Sequence, residues 1–254
     1  MAYCSKENLP VDFISTHAYP TDYALDPESG RGRGAVRYVH SLRDDLSWLR
    51  SVIAQSDYPE AEIHITEWST SPNSRDRMHD NLPPAAYIVK TMLDCRGLAE
   101  SVMYWTFTDI FEEKGGGPTP FHGGFGMMTF QGWKKPSYHA FRMLHALGDE
   151  QLYYMGDINH CMEASSKTID FCIENLPPHA IFTIETLDDT HGNALHAFQC
   201  IGSPDAPTRE QSEWMKEQAE TVVKEKVQTD ANGTLRIRRT LRPWTLMLFR
   251  QDRH

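Results

Sequence analysis

The sequence predicts an α/β chain whose first half carries parallel strands and whose second half is a small antiparallel β domain. Three observations carry this prediction. Residues 11–19, 62–69 and 101–109 each run from apolar or β-branched residues into polar and aromatic ones. Helical stretches separate them, and strands alternating with helices through short connections pair in parallel with right-handed crossovers. After Gly148 the pattern changes to short alternating runs, which read as antiparallel strands.

Taken in order, residues 1–8 read as the last turns of a helix, with Asn8 suited to cap it and Pro10 to stop it. The first strand follows from Val11. Val36, Val39, Leu42, Leu46, Leu49 and Ile53 recur at spacings of three and four, predicting an amphipathic helix over 35–55. The second strand ends at Glu67 and Trp68. A second helix is expected after Asn81, with Pro83 and Pro84 in its first turn and Gly97 just past its end. It leads to the third strand, read as 101–109. A loop rich in Gly and Pro, 114–126, precedes a helix from Pro136 to about Leu147.

In the second half, 168–173 and 181–185 read as strands, and Asn232-Gly233 as a hairpin turn between Val227 and Leu235. One helix interrupts them. Thr208 with Gln211 three residues on forms its capping box.

Composition narrows the function. With 254 residues and 40% hydrophobic content the chain is large enough for a sizeable core. A net charge of −10 with dispersed Lys and Arg argues against a nucleic-acid surface. Five cysteines without a CxxC pair give neither a disulfide framework nor a zinc signature, so no metal and no cofactor are expected. No apolar run approaches the roughly 20 residues of a membrane span, and no signal peptide is seen at the N-terminus, so the chain reads as cytoplasmic. These features suit a protein acting on a small neutral substrate.

The chemistry concentrates at strand ends. Cleaving a glycosidic bond with retention needs a carboxylate nucleophile, a carboxylic acid about 5–5.5 Å away, donors to the sugar hydroxyls and an aromatic platform. Glu67 is the candidate nucleophile. Counting by twos, Ile63, Ile65 and Glu67 share a face, which would put the carboxylate at the mouth of the sheet. His17 and Tyr19, two apart, project into one space and could hold a carboxylate and a hydroxyl. Trp105 is suited to be the platform. Glu112, Glu113 and His122 lie in the Gly-rich loop, where freedom of the backbone suits close approach of a ligand. The ordinary structural roles are a surface ion pair for Glu67, a hydrogen-bonded histidine for His17 and a core aromatic for Trp105.

His17-Ala18-Tyr19, His64-Ile65-Thr66-Glu67-Trp68, Tyr104-Trp105-Thr106-Phe107-Thr108-Asp109 with Phe111-Glu112-Glu113, and Phe121-His122-Gly123-Gly124-Phe125-Gly126 together resemble the bacterial β-xylosidases of glycoside hydrolase family 39. The likeness runs to about Leu152 and continues more weakly at 188–193 and 208–211. It implies a metal-free, retaining enzyme with a (β/α)8 TIM barrel and an accessory β-sandwich. By that likeness the chain is the C-terminal half of the barrel (strands 6 to 8, residues 1–149) followed by the β-sandwich (150–254). Glu67 matches the nucleophile, and His17, Tyr19, Trp105, Glu112 and Glu113 match the sugar subsite.

The family's acid/base glutamate lies in an Asn-Glu-Pro motif, and this sequence contains none. The resemblance therefore implies that the chain starts near the fifth helix, without the proton donor, and that alone it is an inactive fragment. The β domain reads as short between 157 and 175. The expected substrate is a small xyloside or xylo-oligosaccharide, with no nucleic acid or membrane partner. The chain's own partner is expected to be either a second copy or the missing N-terminal half. Two alternatives accompany this reading. One is another glycone such as an α-L-iduronide, whose carboxylate Arg75 and Arg77 could clamp. The other is a non-catalytic carbohydrate-binding subunit.

Overall fold

A computed structural model describes residues 1–25, 32–111, 113–150 and 165–252. The chain divides into two compact units, one of 1–79 with 87–130, the other of 80–86 with 131–254.

The first unit is built on a parallel sheet of three strands, β1 (Phe13–Ala18), β4 (Glu62–Trp68) and β5 (Ser101–Tyr104), in the order β1-β4-β5. A short helix α1 (Ala2–Lys6) precedes it, and Asn8 just beyond has positive φ, as an αL residue closing a helix does. Helix α2 (Ser41–Ala54) joins β1 to β4 and buries Leu42, Leu46 and Ile53, the positions spaced for one face. Its N-cap His40 is held by Asp94 of α3 (Pro83–Asp94), Nδ1 to Oδ2 at 2.8 Å. Arg50 of α2 forks onto Glu100 and also donates to the carbonyls of Ala61 and Leu98. That clamp fixes the helix against the start of β5.

Two expectations are corrected here. The helix read over 35–55 begins only at Ser41, because a hairpin of β2 (Thr21–Leu25) and β3 (Gly32–Val36) precedes it. Val36 and Val39 keep helical spacing in the sequence, but Val36 pairs with Thr21, and Arg37 N–H donates to Pro20 O at 2.8 Å to close the hairpin's base. The strand read over 101–109 ends at Tyr104. Beyond it Thr106, Phe107 and Asp109 exchange backbone hydrogen bonds with 125–128 instead.

The second unit holds two antiparallel sheets. One has the order β10-β7-β8, from β7 (Ile181–Leu187), β8 (Val223–Gln228) and β10 (Leu246–Gln251). The other pairs β6 (Lys167–Ile173) with β9 (Leu235–Leu241). Phe182, Val227 and Phe249 from the first meet Ile173, Leu235 and Ile237 from the second in one apolar cluster, so the sheets pack face to face. Asn232-Gly233 does turn the chain, with Gly233 N–H donating to Asp230 O at 3.1 Å and Gly233 at positive φ. It is not a hairpin, since β8 and β9 belong to different sheets. The region 157–175, read as short, lies outside the described residues up to 164.

Helix α4 (Pro136–His145) opens on proline as expected, and α6 (Arg209–Glu220) has its capping box in both directions. Helix α5 (Ala194–Cys200), capped by Asn193, was not expected. The unit's interior is polar in places. Lys135 and Asp80 form a 2.7 Å ion pair that is fully buried. His139 of α4 bonds Ala219 O at 2.6 Å. Among the described residues no helix is long and apolar enough to cross a membrane.

Candidate active site

The C-terminal ends of β1, β4 and β5 assemble the site. β4 carries an irregularity: Thr16 lies opposite Ile65 and His17 opposite Glu67, so Thr66 is the extra residue of a bulge. The bulge resets the alternation. Ile63 and Ile65 are continued on the buried face by Trp68, whose ring packs against Tyr87 at 5.8 Å and Tyr104 at 5.7 Å. The expectation that Glu67 shares the face of Ile63 and Ile65 is therefore corrected, because one inserted residue reverses every later side chain. Glu67 is aimed instead at the residues closing β1.

There it meets two of its predicted partners. Tyr19 donates its hydroxyl to Glu67 Oε1, and His17 Nδ1 lies 3.5 Å from Oε2. The carboxylate is mostly shielded, with 22% of its side chain exposed, whereas His17 is open to solvent. Tyr19 is held protonated: burial pushes its phenol far above the ordinary 10, and the bond to Glu67 and the nearby charge of Glu113 add to this. It is thus a permanent donor that orients one oxygen and leaves the other facing His17.

Trp105 follows β5, its backbone N–H donating to Trp68 O at 2.7 Å and its ring edge-on to Phe111 at 4.8 Å. The Trp105-Thr106 peptide is cis. Glu113 is exposed and acts on Tyr19 through its charge. Glu112 lies outside the described residues. His122 is held within its own loop, Nδ1 bonded to Thr119 O at 2.9 Å, and its ring occupies the space a side chain at Gly117 would need.

The glycines of 123–126 have a packing explanation that the sequence did not disclose. Asp109, 2% exposed, accepts the N–H of Gly126 at 2.7 Å. A Cβ at Gly124 would meet Asp109 Oδ1 at 2.3 Å, and one at Gly126 would meet Asp109 N at 2.3 Å. Gly123, at positive φ, lies against the backbone of Arg75 and Asp76, and its carbonyl faces the buried ring of His79 at 3.1 Å from Nδ1. The loop is thus folded around Asp109 and His79, two residues the sequence did not single out for this role. Arg75 donates to the carbonyls of Ser74 and Gly115, tying the loop after β4 to the Gly-rich segment.

The described site is thus a strand-end carboxylate held by a phenol and faced by a histidine. The comparisons define the class of protein as glycoside hydrolases. The model for "Glycosyl hydrolases family 39" matches residues 1–173, and the chain belongs to that family. A protein of Caldicellulosiruptor saccharolyticus named beta-xylosidase is 35% identical over 257 residues, covering 89% of this chain and 50% of its own length. Another beta-xylosidase, from Geobacillus stearothermophilus, is 29% identical over 228 residues, covering 82% and 45%. The chain spans about half the length of the curated relatives it matches. A monomeric beta-xylosidase from Caulobacter crescentus superposes with a TM-score of 0.78 at 25% identity, over 99% of this chain and 58% of that one. A family 39 enzyme from Xanthomonas axonopodis pv. citri gives 0.79 at 24%, over 99% and 56%. These neighbours share the α/β fold with its attached sheet domain.

Proposed function

We propose that this chain carries the nucleophile half of a retaining β-xylosidase, with Glu67 attacking the anomeric carbon of a terminal β-D-xylosyl residue. The observation that carries the reading is the orientation of Glu67 by Tyr19 at the C-terminal end of a parallel sheet, where barrel enzymes place their chemistry. In this reading β1, β4 and β5 are the sixth, seventh and eighth strands of a TIM barrel. Residues 1–149 are the barrel portion and 150–254 the accessory β-sandwich. The xyloside is favoured because both curated relatives bear the name beta-xylosidase. An iduronide finds less support, since the Arg75 guanidinium already serves two backbone carbonyls.

Glu67 would form the covalent glycosyl-enzyme, Tyr19 would hold its carboxylate, and His17, Trp105, Glu112, Glu113 and His122 would line the sugar. The acid that protonates the leaving group is assigned to residues outside this sequence, which has no Asn-Glu-Pro. A missing general acid lowers rates by about 10² to 10⁴, and least for good leaving groups. The isolated chain is therefore expected to be trapped by a 2-fluoroxyloside with a dinitrophenyl leaving group, giving a mass adduct on the peptide containing Glu67 that Glu67→Gln abolishes. It should leave xylobiose intact. Robust xylobiose hydrolysis by this chain alone, or an adduct surviving Glu67→Gln, would overturn the reading.

A further inference from the structure

Glu113 and His122, assigned to the surroundings of the sugar, are carried by one stretch of chain between Asp109 and Gly123. The ends of that stretch are tied together. Segments 106–109 and 125–128 run alongside each other in the same direction, with Thr106 N–H donating to Phe125 O at 3.1 Å, Met127 N–H to Thr106 O at 3.0 Å and Asp109 N–H to Met128 O at 2.9 Å. Near the start of the stretch Phe111 meets the Trp105 ring edge-on at 4.8 Å, and further along it the charge of Glu113 acts on Tyr19. The stretch therefore borders the groups that hold Glu67.

One side chain sits at the centre of this closure. The buried Asp109 accepts the Gly126 N–H at its Oδ1, and the same oxygen fills the space that a Cβ at Gly124 would need. His122 Nε2 borders that space too, 3.0 Å from the Cβ position. At its other nitrogen His122 donates to Thr119 O, because a carbonyl only accepts, so its ring is placed from two sides. Keeping a carboxylate away from water is costly where apolar packing alone would close a loop. What an acceptor adds is direction: it fixes where the Gly126 N–H, and with it the returning segment, must lie. Asp109, Gly124 and Gly126 are all buried within the first unit, so the arrangement needs no open face of the sheet.

We propose that Asp109 is a positioning residue for xyloside binding: by latching 123–126 to 106–109 it sets His122 and Glu113 around the sugar presented to Glu67. It acts through the loop and not on the sugar itself. This role presupposes the glycosidase reading of Glu67. A site whose contacts are held by buried, hydrogen-bonded supports keeps them within the fraction of an ångström that binding requires. Loss of the latch leaves Glu67 and Tyr19 in place on their strands and loosens the residues facing them.

The test follows inactivation of the 254-residue chain by the dinitrophenyl 2-fluoroxyloside over a range of concentrations, which separates the binding constant KI from the rate constant kinact. Asp109→Ala is expected to raise KI about tenfold, below the roughly 100-fold that a misplacement of about 1 Å can cost. Its kinact, set by Glu67 and Tyr19, should change by less than about threefold. Asp109→Asn keeps an acceptor at Oδ1 and should hold KI within about threefold of the unaltered chain. Gly124→Ala drives a methyl into the Oδ1 position and should raise KI as Asp109→Ala does; it replaces that variant if far-UV circular dichroism shows Asp109→Ala unfolded. A purely structural role would lower the melting temperature and leave KI unmoved. Unchanged KI in folded Asp109→Ala or Gly124→Ala would overturn the proposal, as would a KI in Asp109→Asn as high as in Asp109→Ala. Absence of a Glu67 adduct on the unaltered chain would instead overturn the glycosidase reading, and this role with it.

Discussion

Tyr19 donates its hydroxyl to Glu67 Oε1, joining the residue that closes β1 to the carboxylate near the end of β4. A hydrogen bond to an ionised acceptor contributes about 1.5–3 kcal/mol when its partner is partly shielded. Tyr19→Phe should therefore loosen the Glu67 rotamer while leaving the ring in place. The expected result is a roughly tenfold or greater slowing of 2-fluoroxyloside trapping with little change in thermal stability. Equal trapping rates in the two proteins would mean that Tyr19 does not position Glu67.

The Gly-rich loop offers a sharper structural test. At Gly126 an added methyl would collide with the backbone at Thr108 and Asp109, both 2.3 Å from its Cβ. Neither can move without breaking the bonds that tie 106–109 to 125–128. Gly126→Ala should destabilise the first unit by about 1–3 kcal/mol, the usual cost of overpacking. Gly132→Ala, at a position with nothing within 4 Å of its Cβ but with φ +81, should show only the smaller penalty of a left-handed backbone. Denaturant unfolding of both variants separates the two effects.

His139 should make the second unit sensitive to acid. Burial holds its protonation below the ordinary 6.5, with Arg142 and Lys134 acting in the same direction and the Ala219 carbonyl and Glu220 opposing them. Below that value the unfolded chain binds the proton that the folded one refuses. Stability is thus fully present above about pH 6.5 and declines as the pH falls toward the depressed value. His139→Gln should flatten the fall of the melting temperature as the pH drops below about 6.5. Glu185 adds a lower window. Burial pushes its carboxyl up, but Arg142, Lys224 and Arg250 more than offset this and leave it below 4.5, so its contribution is lost as the pH drops below that value.

Exposed apolar groups on the first unit should show in solution. Phe13, Met103, Phe107 and Ile110 are each more than half exposed, and among the described strands β1 pairs with β4 only. Unpaired edges and uncovered apolar patches bind other chains and dyes. The purified chain should enhance anilinonaphthalene sulfonate fluorescence and associate with rising concentration in analytical ultracentrifugation. A dye-silent monomer would count against an open sheet face.

The apolar cluster between the two sheets of the second unit predicts a conventional core effect. Phe182→Ala, removing a 7% exposed ring from the contact with Leu235, should cost about 3–5 kcal/mol. Circular dichroism melts would report it.

The sequence by itself determined the parallel strand-helix alternation of the first half, the capping box at Thr208, the proline start of α4 and the positions of Glu67, His17 and Tyr19 at strand ends. Each is a local signal, carried by periodicity or by a side chain bonding its own backbone. The Asn232-Gly233 turn was equally legible, but not which strands it served, because pairing β8 with β7 and β9 with β6 is decided by the two faces that must be buried together. Only the tertiary structure decided which way Glu67 points. The extra residue Thr66 is invisible to a count by twos, yet it hands the buried face to Trp68 and turns the carboxylate toward Tyr19. The same holds for the glycines at 124 and 126, whose requirement is the approach of Asp109 from another stretch of chain. It holds too for the contact of His64 with Ser101, which forms only when β4 and β5 lie in register. Contacts between residues distant in sequence depend on how strands pair and bulge, and no local pattern records that.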